Sequence, residues 1–349
     1  MAPVSSDVPR PALRAEGVEE VVPVDEDALH PDKRINRSRR HDLIVARPSG
    51  GRLQGSVMDY DRTMLLLVDL DGVVYRGSDP VPGIAAVLAA RAAKGDAIVY
   101  VTNNSMHYRA DYVVRLRSMG APVSAERVVS SSRAAALHIA QKEPAIRRVL
   151  AVGAAGLEHE LRDVGLDVVT AGHAATRMSQ EGIDGMVASA HPDAVVVGLD
   201  PQLTYLRLAA AADCIRAGAR FIATNRDPVY PTERGLRPGA GSVVAALVAT
   251  TGVEPLSIGK PEPHLFSIAL AAGDGAANET IVIGDGPQTD IAGARAIGAR
   301  SILMLTGITS EEQARSLPPA DRPTAVAADA DELARLLDRL AEAGSDRTG

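Results

Sequence analysis

Residues 65–75 read LLLVDLDGVVY, four apolar residues followed by Asp69, Leu70, Asp71 and a glycine. A short, uninterrupted apolar run of this kind is typical of a strand buried on both faces of a parallel sheet. The glycine at position 72 allows the chain to turn away directly after the second acid. This stretch therefore predicts the first strand of an α/β core, with two carboxylates at its carboxyl end.

Apolar strands and helical stretches alternate on both sides of a long middle segment. Further strands of the core are predicted at 98–101, 128–130, 256–258, 281–283 and 301–305. Helices are predicted near 83–94, 107–119, 131–141, 263–272, 288–297 and 331–342. This alternation predicts βαβ units and a doubly wound, Rossmann-like parallel sheet.

The middle segment has an alternation of its own. Its strands are predicted at 149–152, 167–169, 194–197 and 221–223, and its helices near 155–164, 203–217 and 241–250. That is enough for a separate α/β unit. We therefore expect a catalytic core formed by 62–144 and 253–343, interrupted by an α/β cap domain at 145–252.

Residues 1–61 have the composition of a disordered tail. They mix Pro, Asp, Glu, Ser and Gly without a sustained period, so they offer too little apolar surface to offset the entropy of ordering. A basic run lies between Lys33 and Arg40. We interpret it as part of a solvated arm, with an anionic partner as the less favoured alternative.

The bulk composition excludes several classes of protein. The net charge of −7 argues against a broad nucleic-acid surface, and the single cysteine, Cys214, excludes an intramolecular disulfide and a cysteine-built metal site. No apolar stretch approaches the ~18–20 residues of a membrane span. The N-terminal residues do not read as a secretory signal. We expect a cytoplasmic protein without membrane or nucleic-acid partners, and a homodimer is left open.

Asp69 and Asp71 suit nucleophilic and acid–base chemistry. Residues two apart on a strand project from the same face, and ligands of an open parallel sheet bind outside the carboxyl ends of its strands. One aspartate can attack phosphorus and form an aspartyl phosphate, while the other protonates the leaving oxygen and later deprotonates water. Alone, the pattern is also typical of turns and calcium loops.

Two further motifs, around Thr102 and Lys260, also follow apolar strands. Thr102, with the backbone amides of Asn103 and Asn104, can cradle phosphate oxygens, although Thr and Asn also favour ordinary turns. Lys260 is a candidate to hold the phosphate and to offset clustered carboxylates, with a surface lysine as the alternative.

Two acids close the series of motifs. Asp285 follows an apolar strand and is a natural Mg²⁺ ligand together with Asp69, since hard cations prefer carboxylate oxygens. Asp290 is either a second metal ligand or an acid favoured in the first turn of a helix. The sequence leaves these two roles open.

Taken together, the motifs D-x-D-G-V, T-N-N-S, G-K-P and G-D-x-x-x-T-D-I resemble the haloacid dehalogenase superfamily. The likeness is closest to its subclass IIA phosphatases, in which a large α/β cap lies between the second and third motifs. That group includes 4-nitrophenyl, phosphoglycolate, glycerol-phosphate and pyridoxal-phosphate phosphatases and nucleotide monophosphatases. The resemblance spans about residues 64–342.

The resemblance implies a Mg²⁺-dependent phosphatase that hydrolyses small phosphate monoesters through an aspartyl phosphate. It implies that Asp69 is the nucleophile and that Asp71 is the general acid and base, with its backbone carbonyl on the metal. It further implies that Thr102, Asn103 and Lys260 bind phosphate. Asp285 would complete the metal site.

The resemblance also extends to the cap, at residues 221–242. It implies that a cap loop contacts the substrate, which makes Arg226, Asp227 and Tyr230 candidate specificity residues. One departure lies in the last motif, where Gly286-Pro287-Gln288 replaces the Arg or Asn and then Leu common in relatives. The metal-binding acids remain, but the stiffness of this loop is in doubt.

Two other functions stay open on the same residues. A phosphotransferase or mutase would use the same aspartyl-phosphate chemistry with an alcohol as acceptor. A binding protein that no longer turns over would keep the phosphate site alone, although the intact Asp69 and Asp71 speak against it. The sequence does not name the substrate among sugar or polyol phosphates, phosphoglycolate and nucleotides.

Overall fold

The computed structural model describes residues 63–232 and 235–345. The tail predicted at 1–61 lies outside these ranges. Within them, no helix combines the length and the apolar character needed to cross a membrane.

The described ranges contain fifteen strands and eleven α-helices. The strands are β1 (Leu65–Asp69), β2 (Tyr75–Arg76), β3 (Asp79–Pro80), β4 (Ala97–Thr102), β5 (Val128–Ser130), β6 (Arg148–Val152), β7 (Asp167–Thr170), β8 (Ala194–Val197), β9 (Arg220–Ala223), β10 (Val229–Thr232), β11 (Gly235–Pro238), β12 (Leu256–Ser257), β13 (Thr280–Gly284), β14 (Arg300–Met304) and β15 (Ala325–Ala327). The helices are α1 (Ile84–Ala93), α2 (Arg109–Ser118), α3 (Ser131–Lys142), α4 (Ala155–Asp163), α5 (Ala171–Ala190), α6 (Tyr205–Arg216), α7 (Ala240–Thr251), α8 (Pro263–Ala272), α9 (Ala292–Ala296), α10 (Glu311–Ser316) and α11 (Ala330–Ser345).

The first sheet has six parallel strands in the order β5-β4-β1-β13-β14-β15. From β1 the chain adds β4 and β5 on one side of the sheet. It later returns to the centre and adds β13, β14 and β15 on the other side. The strand order reverses between the neighbours β1 and β13, and ligands of doubly wound sheets bind at that point. The predicted doubly wound core is confirmed, and β1 lies at its centre.

The apolar run of β1 is explained by burial on both faces of this sheet. Leu66 belongs to a cluster with Leu88 of α1, whereas Leu67 belongs to a cluster with Phe266 of α8. All four side chains have no exposed surface. Because successive strand residues point to opposite faces, an unbroken apolar run fits a strand with helices on either side.

The second sheet is also parallel, with five strands in the order β12-β9-β8-β6-β7. The placement of 256–258 in the first sheet was wrong, since Leu256 pairs with Ile222 of β9. A strand of two residues carries no pattern that identifies its partner. The chain therefore leaves the second sheet a few residues later than the expected boundary at 253.

Two parts of the second unit were not predicted. Helix α5 has 20 residues, and its interior Gly182 has a non-helical φ of 74°. Three glycines within it weaken the helical pattern. The antiparallel hairpin β10–β11 pairs Tyr230 with Arg237. Its strands contain two prolines, which do not indicate a strand from sequence.

The carboxyl edge of the second sheet meets the loop that follows β4. After β8, the Leu199 amide donates to the Ser105 hydroxyl at 3.0 Å. After β9, the Asn225 side-chain amide donates to the Asn103 carbonyl at 2.7 Å. The carboxyl edges of the two sheets therefore face each other across this loop.

Candidate active site

Asp69, Lys260 and Asp290 form a buried charge cluster at the carboxyl end of β1. The Lys260 ammonium lies 2.7 Å from a carboxylate oxygen of each aspartate. The three residues are 6%, 5% and 1% exposed. Burial alone would lower the pKa of Lys260, but the two carboxylates outweigh it and raise that pKa above its ordinary value. The ammonium therefore stays charged over the whole physiological range.

Asp285 follows β13, the neighbour of β1. Its Oδ2 accepts a hydrogen bond from the Ile308 amide at 2.9 Å, and its carbonyl accepts one from the Thr309 hydroxyl at 2.5 Å. Gly72 and Gly307 pack directly against the carboxylate, because a Cβ at either position would lie 2.0 or 1.7 Å from Oδ2. Gly72 also has φ +81°, which disfavours other residues. The glycine of the first motif thus makes room for the acid of the last.

Asp69, Asp285 and Asp290 can direct carboxylate oxygens at one point. One oxygen from each lies within 4.8 Å of the other two, and all three residues are buried. Only one ammonium faces these three carboxylates among the described residues. The cluster therefore carries net negative charge and offers oxygen donors, which suits a hard divalent cation.

The pKa shifts of the cluster show that its carboxylates are buried and repel one another. Burial raises the pKa of Asp69 well above its usual range, although Lys260 opposes the shift. Burial and the neighbouring Asp290 raise the pKa of Asp285 to about 6. A bound cation would favour the ionised form of both groups. The residues present therefore fit the Mg²⁺ site that the sequence predicts.

Asp71 lies just beyond the cluster, at the turn after β1, and is half-buried. Burial raises the pKa of its carboxyl group, and Arg115 and Lys260 partly oppose this shift. A raised pKa favours the protonated form that a general acid needs. The carboxyl group of Asp71 is absent from the oxygen cluster of Asp69, Asp285 and Asp290. The predicted metal contact through its backbone carbonyl stays a prediction.

The last residue of β4 and the loop after it supply predicted phosphate-binding residues. Thr102 is buried, and its hydroxyl accepts a hydrogen bond from the Asn104 amide at 3.1 Å. The Asn104 side-chain oxygen accepts one from the Met106 amide at 3.0 Å. Both residues thus shape the loop beside the cluster. Their contact with phosphate stays a prediction.

Asn103 holds Lys260 by its backbone. The Asn103 Oδ1 accepts from the Lys260 amide at 2.8 Å, and its Nδ2 donates to the Lys260 carbonyl at 3.0 Å. Lys260 itself follows β12 of the second sheet. The Asn103 side chain therefore positions the lysine, a role the sequence did not indicate.

A cavity of about 930 Å³ opens beside Asp71. It is lined by residues of the core and of the hairpin β10–β11, namely Asp71, Arg76, Gly77, Ser78, Asn104, His107, Arg115, Ser118, Met119, Tyr230, Thr232 and Arg237. Tyr230 is half-buried, and burial raises the pKa of its phenol, with a smaller contribution from the Asp71 charge. Of the three cap candidates, Tyr230 is the one that lines this cavity.

The other two cap candidates have different partners. Asp227 accepts hydrogen bonds from the Asn103 side-chain amide at 3.2 and 3.0 Å, so it tethers the cap loop to the core. Arg226 pairs with Glu254 and donates to the Ser257 hydroxyl at 2.8 Å. It is not among the residues that line the cavity. A direct role of Arg226 in specificity has no support in this geometry.

The departure at Gly286-Pro287-Gln288 leaves Asp290 in place. The segment Pro287–Ile291 forms a π-helical turn. The Asp290 Oδ2 accepts from the Gly286 amide at 3.2 Å and from the Thr289 hydroxyl at 3.1 Å. The π-helical turn thus holds Oδ2 of Asp290, while Oδ1 contacts the Lys260 ammonium. The altered residues therefore do not displace the acid.

Sequence reasoning missed the cationic lining of the cavity. The arginines Arg76, Arg115 and Arg237 follow no motif. Because 33 of the 37 basic residues are arginines, composition gives no reason to select these three. Their role depends on the fold that brings β2, α2 and β11 together.

Comparison with known proteins places this geometry in a family. Residues 66–167 match the model of haloacid dehalogenase-like hydrolases, and residues 257–333 match a HAD-hydrolase-like model. A D-glycerol 3-phosphate phosphatase of Mycobacterium tuberculosis is 40% identical over 265 residues, which cover 76% of this chain and 69% of that protein. An acid sugar phosphatase of Staphylococcus saprophyticus is 35% identical over 255 residues, or 72% and 91% of the two chains.

Solved structures agree with these relatives. A p-nitrophenyl phosphatase from Archaeoglobus fulgidus has a TM-score of 0.69 at 29% identity, covering 78% of this chain and 99% of that one. The glycerol phosphate phosphatase of M. tuberculosis in complex with magnesium has a TM-score of 0.67 at 38% identity, covering 80% and 79%. The resemblance found in the motifs is confirmed: this chain belongs to the haloacid dehalogenase-like hydrolases.

Proposed function

We propose that this protein is a Mg²⁺-dependent phosphatase that hydrolyses small phosphate monoesters through a phosphorylated Asp69. One observation carries the proposal. The Asp69 carboxylate lies 2.7 Å from the buried Lys260 ammonium, at the strand end next to Asp71 and its cavity. The relatives named as glycerol-phosphate, acid sugar and p-nitrophenyl phosphatases support the same class of substrate.

In the first step, a carboxylate oxygen of Asp69 attacks phosphorus and forms an acyl phosphate. The bond from phosphorus to the ester oxygen breaks, and the departing oxygen takes the proton of Asp71. Lys260 offsets the negative charge of the phosphoryl oxygens. Thr102 ends β4, the strand next to β1.

In the second step, Asp71 is ionised and accepts a proton from water. The water oxygen attacks phosphorus, the acyl bond breaks, and inorganic phosphate is released. Asp69 returns as a carboxylate and Asp71 as an acid. The half-buried position and raised pKa of Asp71 suit a group that must gain and lose a proton in each cycle.

Asp69, Asp285, Asp290 and the backbone carbonyl of Asp71 are the proposed magnesium ligands. When bound, the cation would polarise the phosphoryl oxygens and offset charge that develops on them. Asp290 also pairs with Lys260, so it would serve both cations.

Acid quenching tests the covalent step directly. The protein is mixed with Mg²⁺ and a radiolabelled aryl phosphate, then denatured in acid during turnover. We expect label on the protein that hydroxylamine releases, as it does for acyl phosphates, and we expect chelation of the metal to abolish it. Turnover without labelled protein would contradict the proposed intermediate.

The same assay separates the alternatives. With glycerol or ethanol present, a phosphotransferase would form a new ester in place of inorganic phosphate. A binding protein would give neither product. We expect inorganic phosphate as the main product even with an excess of alcohol.

Three finer expectations remain proposals. The first is a cap domain, from about 145 to the end of β12 at 257, that selects the leaving group. The second is a homodimer, which sedimentation equilibrium would measure. The third is a cytoplasmic location without nucleic-acid partners, which cell fractionation and a binding assay would measure.

A further inference from the structure

Three arginines line the cavity beside Asp71: Arg76, Arg115 and Arg237. Within residues 63–232 and 235–345, none of the three forms an ion pair with a carboxylate. Asp71 is the one acid among the described residues that line this cavity. A chain with a net charge of −7 therefore reverses its sign locally.

Two of these guanidinium groups are held in place by the backbone. Arg76 donates from Nε to the Thr306 carbonyl, and Arg115 donates from Nη2 to the Gly77 carbonyl. The Arg115 Cζ also lies 3.5 Å from the centre of the Tyr75 ring. A guanidinium has five N–H donors, so both groups keep donors for a ligand.

Arg237 lies on the hairpin that also carries Tyr230. The two residues are paired across β10 and β11, and both line the cavity. Arg237 is exposed and lies on β11, whereas Arg76 and Arg115 lie on β2 and α2. The arginines that line the cavity thus come from both the core and the second α/β unit.

The arginines are on the leaving-group side of the site. Asp69, Lys260 and Asp285, which face the phosphoryl group in the proposed reaction, do not line this cavity. Asp71, which protonates the departing oxygen, does line it. The cavity therefore receives the part of the ester that departs.

We propose that the preferred substrates carry a second anionic group, a carboxylate or a phosphate, at the far end of the leaving alcohol. Arginine binds such groups through paired N–H donors. This inference rests on the proposed function, because Asp71 marks the leaving-group side only if it is the general acid. A volume of about 930 Å³ accommodates a leaving group longer than glycerol.

A matched series of substrates tests the inference. Glucitol 6-phosphate, 6-phosphogluconate and glucitol 1,6-bisphosphate differ only in the group at C1, which is a hydroxyl, a carboxylate or a phosphate. Initial rates are measured with Mg²⁺ beside a generic aryl phosphate. We expect kcat/KM for at least one of the two acidic probes to exceed that of the neutral probe by about tenfold or more, as befits hydrogen bonds to a charged group.

Variants locate the source of that preference. In Arg237→Gln, we expect the ratio of kcat/KM for the acidic probe to that for the neutral probe to fall by about tenfold. The ratio within one variant cancels any loss of folded protein. Arg117→Gln is the matched control, because Arg117 is an exposed arginine of α2 that does not line the cavity. Its ratio should equal that of the wild type.

The outcomes separate this inference from the proposed function. Equal kcat/KM for the three C1 probes, with the aryl phosphate hydrolysed, would overturn the inference and leave the phosphatase standing. No hydrolysis of the aryl phosphate would overturn the phosphatase itself. If Arg76→Gln, Arg115→Gln and Arg237→Gln all retain the acidic preference, the arginines are not its cause and the inference is overturned.

Discussion

Lys260 and Asp290 form an ion pair of 2.7 Å in which both partners are buried. This pair places Asp290 inside the charge cluster. Its carboxylate therefore does more than interact with the N-terminus of a helix. Its Oδ2 is fixed by the Gly286 amide, so Oδ1 has a defined position. The sequence leaves two roles open for Asp290, and its ligation of Mg²⁺ stays a proposal that a Mg²⁺ titration tests.

Replacement of the clustered acids should weaken binding of Mg²⁺. We expect Asp285→Asn and Asp290→Asn each to lower the affinity by at least about tenfold. The rise in Tm on addition of Mg²⁺ should shrink accordingly, since the stabilisation by a ligand grows with the logarithm of its concentration relative to Kd. Differential scanning fluorimetry over a Mg²⁺ titration measures both values.

Without Mg²⁺, we expect these two variants to keep a Tm close to that of the wild type or above it. Each replacement removes one of three buried carboxylates that face a single ammonium, so it relieves repulsion. A variant that loses stability without the metal and keeps the full Mg²⁺ shift would show that its acid only supports the fold.

Loss of the nucleophile should abolish turnover. Asp69→Asn keeps the shape of the side chain but removes the attacking charge. Because uncatalysed hydrolysis of phosphate monoesters is so slow that enzymes accelerate it up to ~10²¹-fold, residual turnover should be near background. Steady-state release of phosphate measures it.

Asp274→Asn is a suitable control for Asp69→Asn. Asp274 is exposed, and the glycines on both sides of it contact Leu65, at the opposite end of β1. Its φ of 53° is one that asparagine also tolerates. Turnover above about a tenth of the wild-type rate in Asp69→Asn, with the control unchanged, would rule out Asp69 as the nucleophile.

The central strands and the motif acids could be predicted because a local pattern marks each of them. An apolar run that ends in an acid locates Asp69 and Asp285, and topology then brings their strands together as neighbours. The contact of the Asn103 side chain with Lys260 could not be predicted. The side chain bonds to the backbone of Lys260, 157 residues away, and a contact between distant segments leaves no local pattern.

Tyr230 should affect specificity more than chemistry. It lines the leaving-group cavity with Asp71 but lies outside the buried charge cluster. We expect Tyr230→Ala to lower kcat/KM for the best substrate by ~1–3 kcal/mol, the typical cost of an unmade polar contact. A generic aryl phosphate, which makes few contacts with the cap, should lose much less.

Tyr205→Ala controls for the loss of an aromatic side chain. Tyr205 begins α6, is 83% exposed and does not line the cavity. Both substrates should react with this variant at wild-type rates. An equal loss on both substrates in Tyr230→Ala would instead mean that the tyrosine shapes the site as a whole.

Replacement of Gly72 by alanine should destabilise the protein through a steric clash as well as through backbone strain. An added Cβ would lie 2.0 Å from Asp285 Oδ2, and φ is +81°. Gly120 has φ +80° with no atom of the described residues within 4 Å. We expect Gly120→Ala to cost ~1–2 kcal/mol of unfolding free energy from strain alone. Gly72→Ala should also lower Mg²⁺ affinity.

Urea unfolding and a Mg²⁺ titration on both glycine variants separate the two effects. The difference in unfolding free energy between them reports the clash with Asp285. Normal Mg²⁺ affinity in Gly72→Ala would show that Asp285 shifts without consequence, which would contradict its assignment as a metal ligand.

Cys214 should be inert in the folded protein. It is buried in α6, and burial raises the pKa of its thiol to about 11. Since the thiolate is the reactive form, only about one molecule in a thousand is reactive at pH 8. We expect a chromogenic disulfide reagent to react slowly with native protein and to titrate one thiol after denaturation. Fast native reaction would place the thiol at the surface.

The parts of the fold that sequence could not reveal share one physical cause. Strand β12 has two residues, and hairpin β10–β11 contains two prolines, so their pairing depends on neighbours and not on their own propensity. The arginines of the cavity lie on β2, α2 and β11, three elements far apart in the chain. Their joint charge exists only once these elements are assembled.

The chain leaves the second sheet at β12 and enters the core helix α8 within a few residues, and Lys260 lies in that crossing. The chain also crosses between the two sheets from α3 to β6, so a rotation of one sheet against the other would turn about an axis through both crossings. Displacement grows with distance from an axis, so Lys260 would hardly move while the hairpin with Tyr230 would sweep through an arc. The phosphoryl group could then stay bound while the alcohol is exchanged for water, so that release of the two products becomes separate in time.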